Sequence, residues 1–162
     1  MTKKILLWVE DNPSETHLQL IETTAKKRGL ILKHVGGDLI LHKALLDFSS
    51  EDDVVIQGII LDLMIYGADS LSDFGYSDVN LEDASNVGEF LLKYVFRNTE
   101  PKQEKLAKLE LPKKPVLILT VKSETKKDDF KEYGEQIELV HKYELDDNVD
   151  LDKVVRGWIN QI

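Results

Sequence analysis

Ile5-Leu6-Leu7-Trp8-Val9 is an unbroken apolar run that stops on two acids, Glu10 and Asp11. A strand with one wet face alternates polar and apolar residues, whereas an unbroken run suits a strand buried on both faces of a parallel sheet. The same pattern recurs along the chain. Val54-Val55-Ile56 and Ile59-Ile60-Leu61 lead into Asp62, and the second of these runs reads as the third core strand. Val116 to Leu119 ends in Thr120, and Ile137 to Val140 ends just before His141 and Lys142. Ile31 to Val35 supplies one further short strand.

Parallel strands require long crossovers, and helical periodicity fills the intervals. Asn12 and Pro13 have the character of an N-cap and a first-turn residue, so the first helix is expected to begin there. Leu18, Ile21 and Ala25 follow at helical spacing, and Gly29 is placed to end the helix. Gly36-Gly37-Asp38 opens a second helix carrying Leu41, Leu45 and Phe48, and the core of a third lies near Gly88 to Phe96. A last helix, roughly Leu151 to Ile162, sets Val154, Val155, Trp158 and Ile159 on or near one face. Alternating strands and helices with right-handed crossovers predict a doubly wound α/β sheet. Sites in such sheets lie at the carboxyl ends of the strands. Glu10, Asp11, Asp62, Thr120 and Lys142 all fall at those ends.

At 162 residues the chain suits a single domain. Two segments exceed the minimal pattern, and both are read as insertions around the third helix. One, at about 66–86, holds five acids and no Lys or Arg; the other, at about 97–115, is Lys-rich and holds three of the four prolines. Glu100, Glu104 and Glu110 interrupt the lysines, so a solvated helix face is expected there rather than a nucleic-acid patch. A net charge of −9 points the same way, because sequence-independent nucleic-acid binding rests on neutralising phosphates. Asp78, Asn80 and Glu82 have a faint calcium-loop spacing, but Asp83 stands where that loop needs glycine. With no cysteine, disulfides, thiol catalysis and cysteine-based zinc sites are excluded. No stretch approaches the roughly 20 apolar residues that span a bilayer, and Met1 to Val9 is too short for a secretory signal. A cytoplasmic location is expected.

A carboxylate can attack a phosphoryl group and become an acyl phosphate. Catalysis of that transfer is mainly positioning and charge neutralisation. Glu10, Asp11 and Asp62 gathered together repel one another unless a cation joins them, and Mg²⁺ favours carboxylate, phosphate and water oxygens. Lys142 supplies a compact positive charge for a phosphoryl oxygen, and Thr120 supplies a hydroxyl.

Lys4-Ile5-Leu6-Leu7-Trp8-Val9-Glu10-Asp11-Asn12-Pro13 resembles the opening of response-regulator receiver domains. Gly58-Ile59-Ile60-Leu61-Asp62-Leu63-Met64 is similar to their phosphoacceptor strand, and Pro115 to Thr120 to the strand bearing their switch hydroxyl. Lys142 falls where their lysine stands. The resemblance implies a flavodoxin-like five-stranded parallel sheet in order 2-1-3-4-5. It also implies Mg²⁺-dependent phosphoryl transfer to Asp62 from a histidine kinase or histidine phosphotransfer protein. By the same resemblance Glu10, Asp11, Asp62 and the Met64 carbonyl hold the metal, while Thr120 and Lys142 read the phosphorylated state. Turnover is limited to self-phosphorylation from a donor and autodephosphorylation. With no output domain after the last helix, the expected signal passes through protein–protein contacts.

Some positions depart from the family. Ile65-Tyr66-Gly67 and Tyr143 stand where prolines are usual, Val121 is bulkier than the common residue, and Leu139 replaces a common aromatic. These departures keep open a second reading, a pseudo-receiver that acts as a phosphorylation-independent interaction module. Enzyme readings on the same architecture fit less well. Met64 occupies the place of the second acid of an Asp-nucleophile phosphatase, and Glu10-Asp11-Asn12-Pro13 repels the phosphate that a nucleotide or flavin loop would cradle.

Overall fold

Five parallel strands form one sheet in the order β2-β1-β3-β4-β5. They are β1 (Lys3–Val9), β2 (Ile31–Val35), β3 (Val54–Leu61), β4 (Val116–Thr120) and β5 (Ile137–His141). The computed structural model describes residues 1–36, 38–65, 71–79, 87–122, 124–142 and 148–162. The order is the one expected of the doubly wound fold. Both central strands bear out the reasoning from unbroken apolar runs. Leu6, Trp8, Ile60, Leu117 and Leu119 face one layer, with Ile21 and Ala25 of α1 (Glu15–Lys27) and Val155, Trp158 and Ile159 of α5 (Asn148–Ile159). Ile5, Leu7, Val9, Ile59, Leu61 and Ile118 face the other. There they meet Leu41 and Leu45 of α2 (Asp38–Ser50), Leu91 of α3 (Val87–Leu91), and Leu106 of α4 (Glu104–Ala107).

Three local expectations are corrected. The first helix begins at Glu15 rather than at Asn12-Pro13, because the Ser14 hydroxyl accepts the His17 amide at 3.1 Å and is the actual cap. Asn12, preceding a proline, is biased away from helical backbone. The two apolar runs before Asp62 belong to one strand. Ile5 pairs with Ile56 and Leu6 with Gly58, so Gln57 is an extra residue that shifts the register. The last helix starts at Asn148, three residues earlier than its apolar pattern suggested. Gly58 faces α5, where an added Cβ would lie 2.7 Å from Ile162 Cδ1 and 2.9 Å from Trp158 Cη2. Its missing side chain makes the room that the indole fills.

The described parts of the two expected insertions are joined to each other. Lys102 Nζ donates to the Gly75 carbonyl at 3.0 Å and sits 4.6 Å above the Tyr76 ring, while the Asn98 amide donates to the Tyr76 hydroxyl. Gln103 donates to the Asp73 carbonyl at 2.5 Å and pairs with His42 of α2 at 2.7 Å. Leu106, Leu109 and Leu111 are buried, so this segment is part of the core rather than a wholly solvated face. Asn80, Glu82 and Asp83 of the calcium-like spacing lie outside the described residues, as do Tyr66, Gly67 and Tyr143. α3 continues into a π-helical turn, Leu92–Phe96. Beyond it the guanidinium of Arg97 donates to five backbone carbonyls: those of Phe96, Leu111, Lys114, Tyr133 and Gln136. Among the described residues no helix is long and apolar enough to cross a membrane.

Candidate functional site

Parallel strands that end together deliver the residues after them to one edge, and the sheet does so here. Glu10 follows β1, Asp62 follows β3, Thr120 closes β4 and Lys142 follows β5. The ladder runs one residue beyond each central strand: the Glu10 amide donates to the Val35 carbonyl at 3.1 Å and the Asp62 amide to that of Val9 at 2.9 Å. Both acids therefore leave a fixed backbone. Both residues are almost fully enclosed, at 7% exposure for Glu10 and 5% for Asp62.

Lys142 joins them. Its ammonium lies 2.8 Å from Glu10 Oε1 and 3.0 Å from Asp62 Oδ2. The other oxygen of Asp62 accepts the Met64 amide at 3.1 Å, a short Asx-type loop that fixes the carboxylate plane. Burial pushes the Glu10 and Asp62 carboxyls above their ordinary range; Lys142 opposes that rise, and the charge of Asp11 adds to it. Burial also works against the Lys142 ammonium, but Asp62 and Glu10 outweigh it and the lysine rises. Each carboxylate thus loses more to burial than a shared ammonium returns. The cluster is short of positive charge.

The structure brings Glu10, Asp62 and Lys142 into contact, with Asp11 near enough to act on both acids. Thr120 is wholly buried, and its oxygen accepts the Lys122 amide at 3.1 Å. A hydroxyl that accepts one bond can still donate its own hydrogen. Met64 reaches the site through its amide. Among the described residues no three acid or imidazole groups are already gathered as a metal-binding cluster. The lysine holds the position between the carboxylates instead. Val121 is half exposed, and Leu139 packs against the sheet core.

Two neighbours were not anticipated from the sequence. His34, which carries no motif, places Nε2 at 2.6 Å from the Glu10 carbonyl. Gly88 was read only as part of a helix, yet its amide donates to the Leu63 carbonyl at 2.9 Å. A Cβ on Gly88 would fall 2.2 Å from the Asp62 carbonyl oxygen and 2.4 Å from Leu63 Cα. A glycine just inside a helix is a poor helix former, and that mismatch was the available signal. Gly88→Ala is expected to lower stability by about 1–3 kcal/mol, since rigid backbone must give way. A lower urea midpoint at unchanged slope would register it. Next to it, Glu89 pairs with Lys122 at 3.2 Å, which ties α3 to the loop after Thr120.

No protein-family model matches the chain, and no curated protein matches its sequence. Solved structures do resemble it. One is the signal receiver domain of a Vibrio parahaemolyticus protein described as a LuxO repressor, with 18% identity, a TM-score of 0.50, and coverage of 99% of this chain and 92% of that one. Another is a two-component response regulator from Legionella pneumophila, with 16% identity, a TM-score of 0.48, and coverage of 97% and 99%. A likeness at 18% identity speaks to architecture alone, and with the strand order it supports one statement: this chain has the fold of a two-component receiver domain.

Proposed function

We propose that the chain is a phosphoacceptor, in which Asp62 takes a phosphoryl group from the phosphohistidine of a histidine kinase or phosphotransfer protein. The observation that carries this reading is the Lys142 ammonium set between two buried carboxylates at the carboxyl edge of the sheet. A carboxylate oxygen of Asp62 attacks phosphorus, the P–N bond to the donor imidazole breaks, and an acyl phosphate forms. Lys142, already 3.0 Å from Asp62, follows the charge onto a phosphoryl oxygen. Thr120 offers its hydroxyl hydrogen to a second oxygen.

The donor set fits Mg²⁺. Glu10, Asp11 and Asp62 present hard oxygens that are short of positive charge, and Glu10, Asp11, Asp62 and the Met64 carbonyl would hold the ion. When bound it would neutralise the carboxylates and polarise the incoming phosphoryl group. Signalling then runs through protein–protein contacts in the cytoplasm, with no nucleic acid required. Self-phosphorylation and autodephosphorylation are the only turnover.

A second reading has a specific observation behind it. Lys142 already fills the gap between the acids, and no ready-made trio of metal ligands stands among the described residues. A phosphorylation-independent interaction module would look the same. Intact mass after incubation with Mg²⁺ and acetyl phosphate separates the two. The wild type is expected to gain one phosphoryl group, with none on Asp62→Ala and none in the presence of chelator. Absence of adduct from both acetyl phosphate and a phosphohistidine donor, in a protein that binds Mg²⁺, would establish the interaction module.

A further inference from the structure

β2 ends beside Glu10, and its last residues treat the Glu10 main chain in an unusual way. The Glu10 amide continues the parallel ladder by donating to Val35. Its carbonyl is met by a side chain, His34 Nε2, at 2.6 Å and half-buried. A carbonyl only accepts, so in this contact Nε2 carries the hydrogen. The ring itself is oriented by packing. His34 pairs in register with Trp8, and the indole stands edge-on to it, with centroids 5.6 Å apart at 63°. Gly36 runs alongside, where a Cβ would sit 3.9 Å from Asp11 Cα and from the Glu10 oxygen. The end of β2 therefore cradles the Glu10–Asp11 peptide.

That peptide is a rigid plane. Holding its carbonyl sets ψ of Glu10 and φ of Asp11, and with them the direction of one acid relative to the other. We infer that His34 is a positioning residue of the site, aligning Glu10 and Asp11 for a divalent cation through the main-chain carbonyl they share. The inference rests on the metal-dependent reading above. A constellation of ligands must be held to within about 0.5 Å of its productive geometry. Lost supporting hydrogen bonds around a metal site reduce affinity about 10- to 100-fold.

Two substitutions separate the hydrogen bond from the packing. His34→Phe keeps an aromatic ring against Trp8 and removes the donor. His34→Gln removes the ring and keeps an N–H of similar reach. Titration of MgCl2 into wild type and both variants by calorimetry, with near-ultraviolet circular dichroism to confirm folding, reads the result without any phosphodonor. His34→Phe is expected to bind at least about tenfold more weakly, and His34→Gln to recover most of the affinity. Equal binding by all three proteins would overturn the inference, as would affinity that follows the ring rather than the donor. If His34→Phe does not fold, His34→Leu takes its place; failure of both to fold would make His34 a core residue and overturn the inference as well. A wild type that binds no Mg²⁺ would remove the metal-dependent reading itself, and that outcome is visible before any variant is compared.

Discussion

Lys142→Met is expected to destabilise the metal-free protein by about 3–5 kcal/mol at neutral pH, the cost of breaking a buried ion pair by removing one partner. Methionine keeps most of the volume, so the loss is electrostatic rather than a cavity. Glu10 and Asp62 would be left enclosed with no cation between them. The pH dependence carries a definite sign. Both carboxyls titrate above their ordinary values in the fold because burial raises them. Above about pH 4 the native state therefore holds more protons than the unfolded chain, and stability falls as pH rises through the folded values. Without Lys142 both carboxyls rise further, so the fall becomes steeper. The penalty should shrink on acidification and vanish only well below about pH 4, where the acids are protonated in the folded and unfolded states alike. The raised Lys142 contributes the opposite end of the curve: its share is full below its unfolded value and is lost as pH climbs through its folded one. Urea melts of wild type and Lys142→Met across this range, with chelator and then with Mg²⁺, check the prediction. Mg²⁺ should return much of the loss in the variant. A variant as stable as wild type in chelator at pH 7 would show that the two acids do not depend on the lysine.

Arg97→Ala is expected to be of similar size, about 3 kcal/mol or more, since hydrogen bonds from a charged donor contribute about 1.5–3 kcal/mol each and do not add. The side chain ties three parts of the chain together. Nε donates to Tyr133 at 3.0 Å, Nη1 to Phe96 and Leu111 at 3.2 and 3.3 Å, and Nη2 to Lys114 and Gln136 at 2.8 and 3.4 Å. It thus links the π-helical turn, the segment before β4, and the connection from β4 to β5. Burial pulls its pKa down, yet carbonyl oxygens on several sides make up for lost water. Alanine would take this donor from all five, although the Leu111 and Gln136 carbonyls keep the backbone amides of Lys114 and Val116 at 3.0 and 2.9 Å. Lysine should rescue little, because a single ammonium cannot span a fork-shaped set of acceptors. Denaturant midpoints measure the loss, and hydrogen exchange should show it first at residues 111–116. Rescue by Arg97→Lys to wild-type stability would contradict the planar-fork argument.

Much of the fold was legible because a strand buried on both faces tolerates few polar residues. The runs at Ile5–Val9, Ile59–Leu61 and Val116–Leu119 announced themselves, and so did the groups placed at their ends. Boundaries were less legible. Asn12-Pro13 has the composition of a helix start, but Ser14 holds the amide that needs capping. Gln57 hides a register shift inside what looked like two separate runs. The Lys-rich segment, read as a solvated face, buries three leucines whose spacing is masked by the surrounding charge.

The layering, the strand ends and the set of chemical groups delivered to one edge are written in the order of residues along the chain. Apolar periodicity reports which faces are buried, and chain order with right-handed crossovers limits the topology. The tertiary structure alone decided which group answers which. Lys142 neutralises acids 132 and 80 residues away, and His34 holds the carbonyl of a residue 24 positions earlier. Gly88 presses α3 against Asp62, and Arg97 collects carbonyls from segments that share no motif. Periodicity has nothing to say about such pairings. They depend on distances and angles that exist only once the sheet has closed and water has been excluded from its edge.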